Sequence, residues 1–529
     1  MAIRRRLRGP ARGDLLAGVG VAFVLTPQGL AYAQLAGLPP EHGLYAAIAA
    51  PLAASLLGSS PYLQTGPVAL TSLLTLGAVE AQAEVGTADF AAHAALLALI
   101  VGVARVVLGL LRAGVIGYLL SEPAVAGFTS GAAVLIVSSQ LPTLLGVKVS
   151  ASNPLWGATS ALAEPGRWNL AAVALGLAVL AGIRLGRRVH PLFPGVLLTT
   201  VAALILNRLA GPFGDPVGTL PIAVPDIPPN LPWGSLQLLI LPGIVIAVVG
   251  FAEPASIARK YATADRQRWE PNRELVAQGA ANLAAGLVGG LPTGGSFSRT
   301  ALNRLAGATS RWSGAITGFT VLLLLPLAPV LSHLPRAALA GLIMAPTVSL
   351  IDMGAFARYW RWSPVQAGVA GGTFLATLVL APHLERAVLI GVALALGVHL
   401  WRELHLPVRV ELDGGTVRLY PHGVLYFASA PGLEDRLITL LAQHPDVERV
   451  VISLGGLGRV DLSGMLTLRS LLVRLTERFD VVVEDVPPTA TRLVERTLRD
   501  LDGLRLNPDP VLPETGGSPD MSPRDGARM

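Results

Sequence analysis

Long apolar runs broken by short polar stretches fill the first three quarters of this 529-residue chain. A helix crossing about 30 Å of hydrocarbon needs roughly 20 apolar residues, fewer where its end lies in a protein-lined cavity. On that ruler the pattern predicts fourteen spans, at about 14–36, 42–57, 65–79, 90–111, 122–145, 168–185, 192–209, 236–258, 273–290, 296–308, 311–331, 335–351, 363–381 and 384–402. From Pro407 the period falls to two. Val408 to Leu412 and Val417 to Tyr420 flank Asp413-Gly414-Gly415, a hairpin signal. Buried-strand sequence follows at 447–454 and 480–484, with helical patterns near 432–444, 463–478 and 488–500. The chain therefore reads as an α-helical polytopic membrane protein with a C-terminal α/β domain.

Composition supports that reading. Hydrophobic residues make up 52% and charged residues 14%, and residues 13 to 104 hold no lysine or arginine, which excludes a wholly soluble enzyme. The net charge of +6 does not point to nucleic acid, because the basic residues cluster between apolar runs. With Arg4, Arg5, Arg6, Arg8 and Arg12 inside, every even-numbered loop is also inside. Those loops collect Arg112, Arg184, Arg187, Arg188, Arg259, Lys260, Arg304, Arg358 and Arg402. The opposite loops carry Glu80, Glu84, Asp89, Asp215 and Asp226. The expected placement is the cell membrane, multi-pass, with N- and C-termini cytoplasmic. Leu15 to Leu25 followed by Ala31-Tyr32-Ala33 imitates a cleavable leader, but its polar residues beside a proline recur in a later span, as a discarded leader's would not. The absence of cysteine excludes thiolate chemistry. His93, His333 and His383 are scattered singly, read as solvated interface residues, and give no metal site. Gly289 and Gly294-Gly295-Ser296 imitate a phosphate loop, but a glycine stands where its lysine belongs. No cofactor, metal or catalytic residue is expected.

An internal repeat locates a site. Thr26-Pro27-Gln28 lies deep in the first span and Glu253-Pro254 deep in the eighth, and each proline should disturb its helix. Gly66-Pro67 opens the short third span, and Gly294-Gly295-Ser296 opens the short tenth. Pro27 and Pro254 are 227 residues apart, and Gly66 and Gly295 are 229 apart. Seven spans are therefore repeated, about 14–209 and 236–402. Seven being odd, the second copy is inverted, as in secondary transporters. Short half-helices in such folds start near the midplane with their positive ends facing a cavity, which attracts an anion. Arg299, one turn into the tenth span, either adds a guanidinium to that cavity or snorkels to an interface. Backbone amides of Val68, Ala69, Ser298 and Arg299 should face the anion. Glu253 costs several kcal/mol in lipid unless paired, hydrated or protonated. It either carries a proton across, coupling anion and proton entry, or forms a static pair with an arginine.

The segments PQGLAYAQLAGLPPEHGLYAA at 27–47, GPVALTSLL at 66–74 and NRELVAQGAANLAAGLVGGLPTGGSFSRTALN at 272–303 resemble the sulfate permease family of anion transporters. The resemblance implies a seven-plus-seven inverted repeat divided into core and gate domains, with substrate between the third and tenth spans. It also implies that Gln28, Tyr32, Val68, Ser298 and Arg299 belong to the substrate pocket. Gln28 could read an oxyanion or tie two helices, and Tyr32 could wall the pocket or sit at a membrane interface. The chain departs from the family after Gly58-Ser59-Ser60, where Pro61 replaces a basic residue.

Residues 407–506 resemble a STAS domain. There Asp461-Leu462-Ser463-Gly464 matches a turn whose serine is phosphorylated in some anti-sigma-factor antagonists, although Ser463 is equally well read as a helix N-cap. The resulting layout is a cytoplasmic segment at 1–13, a transporter domain at 14–402, the STAS-like domain and a disordered tail at 507–529. The expected function is secondary active anion transport by alternating access, coupled to protons, with sulfate, bicarbonate or a fumarate-like dicarboxylate as cargo. An exchanger or channel on the same fold, or a membrane sensor signalling through the tail, are the alternatives. The expected partners are the anion, protons, the lipid bilayer and, by family resemblance, a second copy in a homodimer; nucleic acid is not among them.

Overall fold

A computed structural model describes residues 9–115, 121–149, 151, 153–190, 192–220, 230–404 and 406–507. Residues 1–8 of the N-terminal segment, Asp226 and the expected tail from 508 onward lie outside the described residues. The chain divides into two compact units, 1–395 and 396–529.

In the first unit each predicted apolar segment holds a helix. These are α1 (Arg12–Leu35), α2 (Glu41–Leu57), α3 (Ala69–Val79), α4 (Ala88–Leu110) and α5 (Glu122–Leu145). The short α6 (Pro154–Ala163) precedes α7 (Leu170–Val189) and α8 (Gly195–Ala210). Next come α9 (Leu236–Ala264), α10 (Pro271–Leu287), α11 (Phe297–Leu305), α12 (Trp312–Leu324) and α13 (Arg336–Thr347). Last are α14 (Met353–Trp362), α15 (Pro364–Val379) and α16 (Leu384–Leu404), the last of which continues past residue 395 into the second unit. Among the described residues, eight helical stretches are long and apolar enough to cross a membrane.

The boundaries follow local chemistry. Thr87, Ser121, Asn169 and Asp352 accept backbone N–H bonds as caps of α4, α5, α7 and α14, and Pro271 and Pro364 sit in the first turns of α10 and α15. Gly146 ends α5 at φ 69°, a conformation that costs glycine nothing. Packing sorts the helices into two groups, α1–α4 with α9–α12, and α5, α7, α8, α13 and α15. Asp14, fully buried, fixes the start of α1 by accepting bonds from the Thr309 amide (2.7 Å), the Ser310 amide (2.9 Å) and Ser310 Oγ (2.7 Å).

Two expectations need correcting. The disturbance expected at the prolines does not end either helix: α1 runs through Pro27, and α9 runs through Pro242 and Pro254. Burial against neighbours holds both helices across the missing bond, and Thr26 Oγ1 donates to the Ala22 carbonyl at 2.8 Å. His93 is not a solvated interface residue. It is 4% exposed, with Nε2 3.0 Å from Ser235 Oγ, so it ties α4 to the approach to α9.

The second unit has a five-stranded sheet in the order β3-β4-β6-β8-β9. Its strands are β3 (Val408–Asp413), β4 (Thr416–Pro421), β6 (Arg449–Ser453), β8 (Asp480–Glu484) and β9 (Leu504–Asn507). β3 and β4 form the predicted hairpin across Gly414 and Gly415, both at positive φ, and the remaining pairs are parallel. β5 (Gly423–Leu425) pairs with β7 (Leu457–Val460). Helices α17 (Ala430–Gln443), α18 (Leu462–Thr476) and α19 (Thr491–Leu498) complete the unit, with Leu433, Leu437, Leu468, Leu472 and Leu498 in its core. Asp461, rather than Ser463, caps α18: its Oδ1 accepts the Gly464 amide at 2.7 Å, and Ser463 Oγ donates to the same oxygen at 2.9 Å.

Candidate functional site

Two half-length helices meet inside the first unit. α3 has eleven residues and α11 nine, roughly 16 and 14 Å at 1.5 Å per residue, too short to cross hydrocarbon alone. Each follows a two-residue strand, β1 (Thr65–Gly66) before α3 and β2 (Gly294–Gly295) before α11. The strands pair antiparallel, Thr65 with Gly295 and Gly66 with Gly294. This pairing draws the two helix N-termini together, and it satisfies backbone groups that lipid could not.

Buried side chains satisfy the rest. Thr300 Oγ1 accepts the Gln64 amide (3.0 Å), Asn282 Oδ1 accepts the Thr293 amide (2.8 Å), and Gln278 Nε2 donates to Thr65 Oγ1 (2.7 Å). Thr71 Oγ1 donates to the Pro292 carbonyl at 2.8 Å, lacing the first turn of α3 to the approach to β2.

Arg299 lies at this crossing and is 1% exposed, so it does not snorkel to an interface. Its Nη2 donates to the Pro67 carbonyl (2.9 Å) and its Nη1 to Gln28 Oε1 (3.4 Å), while its buried Nε has no partner. Gln28 and Tyr32, one turn apart on α1, are both buried; Tyr32 interacts electrostatically with Arg299 and Glu253. The predicted residues are thus brought to one place by α1, α3, α9 and α11.

The backbone donors differ from expectation in one respect. Val68 is the N-cap of α3 and offers no side-chain acceptor, which leaves the first-turn amides, Ala69 included, uncapped by a side chain. At α11, Ser296 Oγ accepts the Arg299 amide at 3.4 Å, and the Phe297 amide acts electrostatically on the Glu253 carboxylate. The Arg299 amide is therefore not a free donor, because a cap hydroxyl reaches it first. Ser298 is half-buried, with its Oγ 3.3 Å from Ser296 Oγ.

Glu253 interacts electrostatically with Arg299 but is not among the side-chain ion pairs of the described residues. It faces a cavity of ≈ 150 Å³, lined mostly by apolar side chains and also bounded by Leu70 and Phe297. Thr129, Ser256 and Thr373 are its other polar groups. The cavity thus touches the first turns of both half-helices.

Sequence reasoning passed over Arg105, Asn282, Gln278, Thr71 and Thr300. Arg105 had a signal: it is the first basic residue after ninety-two positions without one, inside an apolar helix. It is fully buried and donates only to main-chain carbonyls, from Nε to Ala247 (3.0 Å), Nη1 to Thr293 (2.9 Å) and Nη2 to Ile246 (3.3 Å). Gly250 makes room for it, since a Cβ there would sit 2.5 Å from Nη2.

Comparison with known proteins identifies the family. A model of the sulfate permease family matches residues 12–373, and a STAS domain model matches residues 408–500. The chain is 33% identical over 494 residues to a probable sulfate transporter of Mycobacterium tuberculosis (strain CDC 1551 / Oshkosh), covering 88% of each. It is 32% identical over 458 residues to the chloroplastic sulfate transporter 4.1 of Arabidopsis thaliana, covering 80% of this chain and 66% of that one. Among solved structures, the murine Solute Carrier 26 family member A9 anion transporter in the inward-facing state aligns with TM-score 0.85 at 19% identity, over 95% of this chain and 91% of that one. The transmembrane domain of a cyanobacterium bicarbonate transporter, BicA, aligns with TM-score 0.63 at 25% identity, over 73% of this chain and 97% of that one. The chain belongs to the sulfate permease family and carries a C-terminal STAS domain.

Proposed function

We propose that this protein is a secondary active transporter of a small oxyanion or dicarboxylate, working by alternating access and taking up its cargo with protons. The observation that carries the reading is the convergence of two helix N-termini on a buried guanidinium with one unpartnered nitrogen. Each helix end is worth roughly half a positive charge, and Arg299 adds a fork whose donors match paired oxygens. Gln28, Tyr32, Val68, Ala69, Ser298 and Arg299 form the anion site in this reading.

Glu253 supplies the coupling. Ionised, its carboxylate places a negative charge beside the Phe297 amide at the positive end of α11, the same end a substrate anion needs. A proton on Glu253 removes the competing charge, so anion and proton are best bound together. The group of α1–α4 and α9–α12 would move against the second group and expose the site to one side at a time. The transporter part spans 14–402, and the STAS domain, at 407–506, serves assembly or regulation in a homodimer with cytoplasmic termini.

The test is uptake of labelled sulfate, bicarbonate and fumarate into vesicles containing the purified protein, with and without an inward proton gradient. Saturable, gradient-driven accumulation of one of them is expected. Saturable uptake indifferent to the gradient would make the protein an exchanger or channel. No uptake of any anion would overturn the reading.

A further inference from the structure

The chemistry of the anion site does not account for Arg105. A guanidinium buried inside a membrane helix is costly, and such residues normally find a carboxylate or water. Arg105 is 0% exposed, and all its bonds go to the neutral carbonyls of Ile246, Ala247 and Thr293. Among the described residues it forms no ion pair, so carbonyl dipoles hold its charge without cancelling it.

Its position gives that charge a role. Ile246 and Ala247 lie about two turns before Glu253 on α9, and Thr293 immediately precedes β2. The fork therefore clamps the helix carrying Glu253 to the strand that launches α11. Its Nη2 abuts Gly250, next to the Thr71 side chain in the first turn of α3.

We propose that Arg105 is a positioning residue of the anion site, a fixed cation behind the crossing half-helices that sets the start of α11 and biases the cavity toward anions. The transport arm of this inference rests on the anion-transport reading above; the positioning arm does not. A buried unit charge this close to the crossing favours an anion there, and a dianion gains about twice the free energy of a monoanion.

The experiment uses the full-length protein with Arg105→Lys and Arg105→Met. Amide hydrogen exchange is followed across 290–300, and the KM for labelled sulfate is measured in vesicles. Both variants lose the three-point clamp, so exchange across 290–300 should quicken in each while peptides of the STAS domain stay unchanged. The KM for sulfate should rise at least about tenfold in R105M and stay within about threefold of wild type in R105K, since lysine restores the charge. A residue of merely structural importance would raise KM equally in both. Equal rises, or an unchanged KM in R105M, would overturn the charge role, and wild-type exchange across 290–300 in R105K would overturn the positioning role. Should R105M not fold, R105K decides by the same exchange measurement and by whether its KM is kept. If wild-type vesicles take up no sulfate, the cargo assignment fails while exchange still decides whether Arg105 positions α11.

Discussion

At the N-terminus of α3 the cap residue is Val68, whose side chain accepts nothing; at the N-terminus of α11 it is Ser296, whose hydroxyl accepts the Arg299 amide. The Glu253 carboxylate faces this end beside Phe297, and Arg299 sits in the same turn. Two ends paired through β1 and β2 thus carry different chemistry. The first half of the repeat contributes open backbone donors, whereas the second contributes a fixed cation and a titratable group. In the proposed reading, the repeat preserves geometry while one copy holds the anion and the other controls when it is held.

The largest expected effect comes from removing the cation of the α11 side. Arg299→Ala should abolish saturable anion uptake in vesicles while the protein stays monodisperse; uptake at wild-type KM would remove Arg299 from the site. Glu253→Gln comes next. It should keep downhill flux but lose accumulation driven by an imposed pH gradient, and it should flatten the pH dependence of KM. Gradient-driven accumulation persisting in E253Q would make Glu253 a structural cap only.

On the α3 side the effects are smaller. Val68→Thr places a hydroxyl where it can cap the first turn and compete with the anion; at about 1 kcal/mol per N-cap, KM should rise about fivefold. A KM lowered or unmoved by V68T would mean that these amides do not meet the anion. The smallest effect on transport is expected in the other unit: Asp461→Ala should cost the STAS domain about 0.5–2 kcal/mol in denaturant unfolding and leave KM unchanged. An unaltered unfolding midpoint in D461A would contradict the cap assignment.

Arg299, Gln28 and Glu253 were legible in the sequence because charge and amide groups inside apolar runs are conspicuous, and the matching offsets of Pro27 with Pro254 and Gly66 with Gly295 showed which runs correspond. The two-residue strands were not legible, since two positions carry no period. The supporting network was also hidden. Asn282 with Thr293, Gln278 with Thr65, and Arg105 with Ala247 and Thr293 are contacts across 11, 213, 142 and 188 positions, and nothing local in any of these residues names its partner. That α1 and α9 continue through Pro27 and Pro254 was not legible, because propensity is local whereas the burial that carries the helices past them is tertiary. The amphipathic α14 went unseen because its ten residues, ending in Trp360 and Trp362, are too few to register as a span.

The central claim is that an anion sits between the first turns of α3 and α11. Determining the structure of the protein with the anion that the uptake panel identifies tests it most directly. The account predicts density within hydrogen-bond reach of the Arg299 guanidinium and the Ala69 amide; well-occupied density elsewhere in the membrane unit, with that crossing empty, would contradict it.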